Sequence, residues 1–216
     1  MKKKERSKIF ADVYENNRWG RSRNGLKYYS DSPPELTKPY RDFVSNFIKQ
    51  NDVRKIVDLG CGDFEASSGI DMGDAHYIGV DIYEHLVYFD NQNYKDKFHE
   101  FIVCDIVQDD LPDGDLCLIT LVLYLLSYDD IFAILRKLSK YRFVLITDGQ
   151  PNTHASQRHN VDKPTNGFTR SYHGNGFYLE LAPFCLNISV VHQYQTPEGY
   201  NSSGEIVRTV LLENPL

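Results

Sequence analysis

The chain has 216 residues, with 24 Lys and Arg against 30 Asp and Glu and a formal net charge of −6, so it lacks the basic excess that a nucleic-acid partner calls for. Its 41% hydrophobic and 25% charged content suits one soluble, well-buried domain and excludes a disordered or fibrous chain. The longest apolar run, Leu116 to Leu126, is broken by Thr120 and falls well short of the ~20 residues that cross a bilayer.

The basic start Met1-Lys2-Lys3-Lys4-Glu5-Arg6-Ser7-Lys8 has no apolar stretch behind it, which predicts no secretory signal and a solvated, mobile end. Pro34 to Gln50 carries Leu36, Tyr40, Phe43, Val44 and Phe47 at the spacing of one helical face. Five apolar segments then read as buried strands: Lys55–Leu59, Ala75–Asp81, Glu100–Asp105, Asp115–Thr120 and Arg142–Thr147, the last ending at Asp148-Gly149. Between the last two, Asp129 to Lys140 places Ile131, Ile134, Leu135 and Leu138 on one helical face. Continuous apolar strands alternating with helices predict an α/β fold, a doubly wound, mostly parallel sheet covered on both sides. Phe177 to Phe184 reads as a short helix, and Asn187–Tyr194 with Glu205–Leu212 as a closing antiparallel hairpin, which brings the strands to seven. Trp19 to Ser32 and Gln150 to Ser171 are long irregular segments of the kind that serve as lids. The whole of 1–216 is thus expected to be a single domain: residues 1–50 a cap and first helix, 54–150 a binding core, and 151–216 a loop, helix and hairpin. Cys61, Cys104, Cys117 and Cys185 are widely spaced without a Cys-x-x-Cys pair, which predicts reduced thiols in a cytoplasmic protein.

Ligands bind an open parallel sheet at the carboxyl ends of its strands. Here the first three strand ends carry Asp58 with the Gly60-Cys61-Gly62 turn, then Asp81, then Asp105, at spacings of 23 and 24 residues. Such a line of acceptors suits a ligand with an ammonium group, a vicinal diol and an exocyclic amine. Val57-Asp58-Leu59-Gly60-Cys61-Gly62-Asp63-Phe64, with Gly79-Val80-Asp81 and Cys104-Asp105-Ile106, resembles the nucleotide-binding half of class I S-adenosylmethionine-dependent methyltransferases. The string Gly-Cys-Gly-Asp-aromatic and the stretch Leu123 to Ile131 are similar to a bacterial subgroup with small-molecule or glycan-type acceptors. Phe64 stands at the third glycine position of the common turn, and Tyr124 and Leu125 stand where the subgroup has Gln and His. A base at that histidine is therefore not carried over.

The resemblance implies S-adenosyl-L-methionine as cofactor. Gly60 and Gly62 would pass beneath its methionine and ribose portions, Asp58 would hold the amino group, and Asp81 would take the ribose hydroxyls. Asp105 would accept from the adenine amine with Ile106 beside the ring. The segment Phe10 to Gly20 resembles the family's cap, with Tyr14 and Trp19 enclosing the sulfonium and Arg41 pairing with the methionine carboxylate.

Methyl transfer to an alcohol needs alignment, exclusion of water and a base. The loop after the fifth strand offers Asp148, His154, His159 and Asp162, then Arg170, Tyr172 and His173. This predicts an O-methyltransferase acting on a small polar or sugar-containing molecule, with one of His154, His159 or His173 as base. Tyr124, Asp148, Arg170 and Tyr172 are the expected substrate-binding residues. No metal is expected, because the histidines are five residues apart in a polar loop and the fourth strand ends without an acid. A nicotinamide enzyme is excluded by Glu65, which stands where its turn needs a small residue and would repel the pyrophosphate. A cofactor-binding partner or regulator without turnover is the alternative.

Overall fold

The computed structural model describes residues 1–20, 34–151, 158–170, 175–196 and 205–213. In chain order its elements are α1 (Lys3–Glu15), α2 (Pro34–Gln50), β1 (Lys55–Leu59), β2 (His76–Asp81), α3 (Glu84–Asn93), β3 (His99–Val103), β4 (Leu116–Thr120), α4 (Tyr128–Leu135), β5 (Phe143–Pro151), β6 (Ile188–Gln195) and β7 (Glu205–Leu212). The seven strands form one sheet in the order β3-β2-β1-β4-β5-β7-β6. The first five are parallel and β7 runs antiparallel to both β5 and β6. This is the expected doubly wound sheet with its hairpin, and the strand order reverses between β1 and β4.

Side chains alternate across the sheet because successive residues of a strand point to opposite faces. Val57, Leu59, Val80, Cys117, Ile119, Val144 and Ile146 pack against Ile131, Ile134 and Leu135 of α4 and against Phe177 and Phe184. Their neighbours Ile56, Tyr77, Leu116, Leu118 and Leu145 pack against Tyr40, Val44 and Ile48 of α2. Two apolar layers therefore hold a sheet that is buried on both sides, which explains why its strands read as unbroken apolar runs.

Four expectations are corrected. The basic start is not a free end: α1 begins at Lys3 and buries Arg6, Val13 and Tyr14 along one face, a spacing of seven and eight residues that marks two helical turns. The 129–140 helix ends at Leu135 and is followed by a separate 3-10 turn, Leu138–Lys140. Strand β5 does not stop at Asp148-Gly149 but pairs with β7 as far as Pro151↔Glu205. Gly149 faces Val207 and Gln150 faces Ile206, so pairing with β7 carries the strand past the glycine. Residues 177–184 are turns, because side chains capture their backbone. Gln150 accepts from the Phe177 amide, Asn160 accepts from the Tyr178 amide, and the Asn160 amide donates to the carbonyls of Tyr178 and Ala182. Pro183 also lacks an amide to give.

Candidate active site

The turn after β1 is shaped by three left-handed residues, Gly60, Gly62 and Phe64 (φ 78°, 60° and 62°). The amides of Gly60 and Cys61 both donate to the Val80 carbonyl, at 2.8 and 3.0 Å, and fasten the turn to β2. A Cβ on Gly60 would meet Val122 at 2.7 Å, so the turn and the start of the β4–α4 connection share space that only glycine leaves open.

Asp58 is 2% exposed and points toward the α2 face. The hydroxyls of Ser67 and Tyr77 both donate to its Oδ2, at 2.7 Å each. Burial pushes its carboxyl above the usual range, and the two hydroxyls pull it part of the way back. In the parallel register Leu59 faces Val80, so Gly60 lies level with Asp81. Asp81 accepts from the Tyr83 amide at 2.9 Å. Burial pushes it to about 6 against the pull of the Tyr83, Gly62 and Ile82 amides, with Asp63 adding repulsion.

Helix α1 lies over this edge. The Ser7 hydroxyl reaches the Ile82 carbonyl, and Tyr14 stacks on Tyr83 with ring centroids 6.0 Å apart. Trp19 meets Tyr14 edge-on at 5.3 Å and donates its indole N–H to the Gly167 carbonyl at 2.8 Å. Tyr14 and Trp19 are thus brought together, with Tyr14 near Asp81.

Two cofactor assignments made from the sequence are corrected. The Asp105 carboxylate is occupied: Arg6 Nε reaches both oxygens at 3.2 Å, Arg6 Nη2 reaches Oδ2 at 2.8 Å, and the Val107 amide takes Oδ1. Arg6 Nη1 also meets Asp130 at 3.1 Å, and the Thr165 hydroxyl donates to the other Asp130 oxygen. Asp105 therefore anchors the cap, and its oxygens are not turned to an adenine amine; Ile106 beside it packs against the α4-side core. Arg41 donates to the carbonyls of Ala66 and Glu65, so it supports the loop after the glycine turn and is not held ready for a ligand carboxylate.

On the other side of the crossover, Thr147 pairs with Thr120 and Leu118 with Asp58. Asp148 therefore lies level with the glycine turn two strands away, on the order of 10 Å across the sheet. It is 4% exposed and lies beside the Tyr124 amide. Burial pushes its carboxyl well above the usual range, drawn back by the Tyr124 amide and Arg170. With Gln150, Phe177, Glu180 and Arg208 it lines a small pocket of about 20 Å³. Arg170, 2% exposed, sits over the rings of Tyr128 and Phe177 and donates to the carbonyls of Val161, Leu123 and Tyr124. Tyr124 itself is buried in the 3-10 turn that Arg170 grips. His159 is exposed and meets Tyr178 edge-on at 5.0 Å. His154, Tyr172 and His173 lie outside the described residues.

The sequence reading missed the residues that hold this site together. Ser67 and Tyr77 orient Asp58, and Arg6 ties the cap to Asp105 at the end of β3 and to Asp130 in the first turn of α4. Lys163 donates to the Leu125 carbonyl at 2.6 Å, and burial lowers its amine to about 8. Arg6 had a signal in its seven-residue spacing from Val13. The others act across long sequence distances that no local pattern carries.

No protein-family model matches the chain, and no curated protein matches its sequence. Among solved structures the chain is similar to 1,6-didemethyltoxoflavin-N1-methyltransferase of Burkholderia thailandensis, solved with 1,6-didemethyltoxoflavin and S-adenosylhomocysteine, at 14% identity over 95% of this chain and 86% of that one, TM-score 0.60. It is similar to magnesium protoporphyrin IX methyltransferase of Synechocystis PCC 6803, solved with S-adenosylhomocysteine, at 12% identity over 94% and 97%, TM-score 0.59. It also resembles the N-methyltransferase NodS of Bradyrhizobium japonicum WM9, in complex with S-adenosylhomocysteine, at 11% identity over 93% and 98%, TM-score 0.58. The chain therefore has the Rossmann-like methyltransferase fold; at these identities the likeness is one of fold.

Proposed function

We propose that this chain is an S-adenosylmethionine-dependent methyltransferase that O-methylates a small polar or sugar-containing molecule, in line with the bacterial subgroup its motifs resemble. One observation carries the reading: at the sheet's crossover, the glycine turn, buried Asp58 and Asp81 stand side by side beneath an aromatic cap. These residues fit the cofactor. Asp58, held through Oδ2 by two hydroxyls, meets the amino group directly or through water, and Asp81 takes the ribose hydroxyls. Gly60 and Gly62 let the backbone pass close beneath, Ile106 lies toward the adenine, and Tyr14 and Trp19 offer ring faces to a cation. When bound, S-adenosylmethionine supplies a methyl group activated by positively charged sulfur. The chain's part is to align donor and acceptor and to keep water out, which the cap and the loop beneath it do together. The acceptor meets a wall of Tyr124, Asp148, Arg170 and Tyr172, with His154, His159 or His173 as the source of a base. The acidic balance favours a small-molecule over a nucleic-acid partner, and the four free cysteines, one of them exposed, suit the cytoplasm.

Titration calorimetry with S-adenosylhomocysteine tests the reading: wild type binds and Asp81→Asn binds far less, whereas no binding by wild type would reject it. A second reading, a cofactor-binding partner without turnover, is favoured by one observation. Arg170 and Lys163 are already engaged with backbone carbonyls, and Arg208, which lines the pocket with Asp148, with Glu180. Transfer of labelled methyl groups to a panel of polar metabolites separates the two.

A further inference from the structure

Helix α1 bridges two parts of the molecule that are far apart in sequence. On one side it is tied to the residues that follow Asp81. The Ser7 hydroxyl donates to the Ile82 carbonyl, the Tyr83 hydroxyl donates to Glu15 at 2.6 Å, and Tyr14 stacks on Tyr83, whose own amide donates to Asp81. On the other side it rests on the loop that follows β5. The Trp19 indole, just beyond the helix, donates to the Gly167 carbonyl at 2.8 Å, and a Cβ on Gly167 would overlap the Val13 side chain. A third tie runs through Asp130, which accepts from the Thr165 hydroxyl at 2.5 Å and from Arg6 at 3.1 Å. The loop is itself a firm base. Its Lys163 ammonium and Asn166 amide both donate to the Leu125 carbonyl, at 2.6 and 3.1 Å, and the Ser127 amide donates to Thr165 at 2.8 Å. Val13 is 2% exposed and directly precedes Tyr14, so a side chain added at position 167 would push on the residue next to the ring stacked on Tyr83.

We infer that Gly167, in the loop assigned to the acceptor, is a positioning residue for the cofactor: it seats Val13 and Trp19, and through them it sets how closely α1 lies over the end of β2. The inference rests on the methyl-donor reading of the site. Space selects the glycine, because any larger residue lifts the helix from its seat. The shared seat also couples the two ligands. A cofactor that holds α1 down orders the loop beneath it, and an acceptor that orders the loop holds α1 down. By linkage each tightens the binding of the other by the same factor.

Calorimetry with S-adenosylhomocysteine on wild type, Gly167→Ala and Gly167→Ala with Val13→Ala tests this. Gly167→Ala should bind about tenfold more weakly than wild type, the scale of an overpacked contact. Adding Val13→Ala vacates the overlapped space, so the double variant should bind more tightly than Gly167→Ala. A second truncation that lowers affinity further would show that both residues act through general stability and overturns the inference, as does Gly167→Ala binding like wild type. Amide exchange in wild type gives a reading that needs no variant to fold. S-adenosylhomocysteine should slow exchange in residues 163–167 as well as in α1, and slowing confined to α1 overturns the inference. Absence of binding by wild type would reject the methyl-donor reading and this inference with it, whereas binding that leaves the loop's exchange unchanged rejects the inference alone.

Discussion

The two halves of the sheet's carboxyl edge use their polar residues in opposite ways. On the β1–β2 side, acids are held from behind by hydroxyls and amides: Ser67 and Tyr77 on Asp58, and the Tyr83 amide on Asp81. Their charge is oriented, and no ion pair to either acid occurs among the described residues. On the β4–β5 side, cations are consumed by the scaffold. Arg170 and Lys163 grip the carbonyls of the 123–125 turn, while Arg6 of the cap spans the two sides, from Asp105 just after β3 to Asp130 in α4. Charged residues on the first side are therefore read as ligand-facing, and those on the second as the mortar of a lid.

Four experiments would break or sharpen that contrast. The largest effect is expected from Arg6→Ala, which leaves two buried carboxylates without their cation and should cost about 3–5 kcal/mol in urea unfolding. A loss below about 1 kcal/mol would show that the cap is not anchored there. Next comes Arg170→Lys, whose single ammonium cannot span from the Val161 carbonyl to those of Leu123 and Tyr124 as the guanidinium fork does, and which should lose about 2–3 kcal/mol. An unchanged melting temperature would show that Arg170 does not hold the 123–125 turn. On the cofactor side the order reverses: Asp81→Asn should melt close to wild type yet bind S-adenosylhomocysteine about tenfold to a hundredfold more weakly, the worth of a hydrogen bond to a charged group. Trp19→Phe keeps the edge contact with Tyr14 but gives up the bond to the Gly167 carbonyl. It should cost about 1 kcal/mol, seen as faster amide exchange in residues 158–170.

Proton linkage supplies a further prediction for the ligand-free protein. The Asp90 carboxyl binds its proton more tightly when folded, at about 9 against an ordinary 3.8. Its favourable contribution to folding is therefore complete below pH 4 and is lost progressively as pH rises toward 9. Thermal melts should show stability falling across that window, with a shallower fall in Asp90→Asn. Equal slopes in the two proteins would show that Asp90 is already ionised at neutral pH.

Much of the scaffold was legible because it is written locally. Lys55–Leu59, Pro34–Gln50 and Glu205–Leu212 have the bounds their apolar patterns announce. Strand ends bearing Asp58 and Asp81 follow from the same rule. What stayed hidden depends on partners far along the chain. A buried arginine at position 6 makes sense only with Asp105 and Asp130, which lie 99 and 124 residues away. Asp148-Gly149 reads as a turn until β7 lies alongside it and continues the strand. The 177–184 segment has helical composition, but Gln150 and Asn160 satisfy its backbone in another shape. Asp105 itself looks like a third ligand acid because its strand-end position is right; only the helix laid over it shows that the position is taken.

Phe64 sets a limit on how this molecule can breathe. Its left-handed backbone, which costs a residue with a side chain about 1–3 kcal/mol, lets the turn keep a glycine's course. Meanwhile its ring is wedged among Tyr77, Tyr94, His99 and Phe101, with centroids 5.0 to 5.7 Å away. The floor of the crevice is thereby nailed to the β2–β3 edge, so a ligand of the proposed kind would find no exit below. Traffic through the site has to pass by the roof, and the tempo of exchange belongs to α1 and its two fastenings, Arg6 at one end and Trp19 at the other.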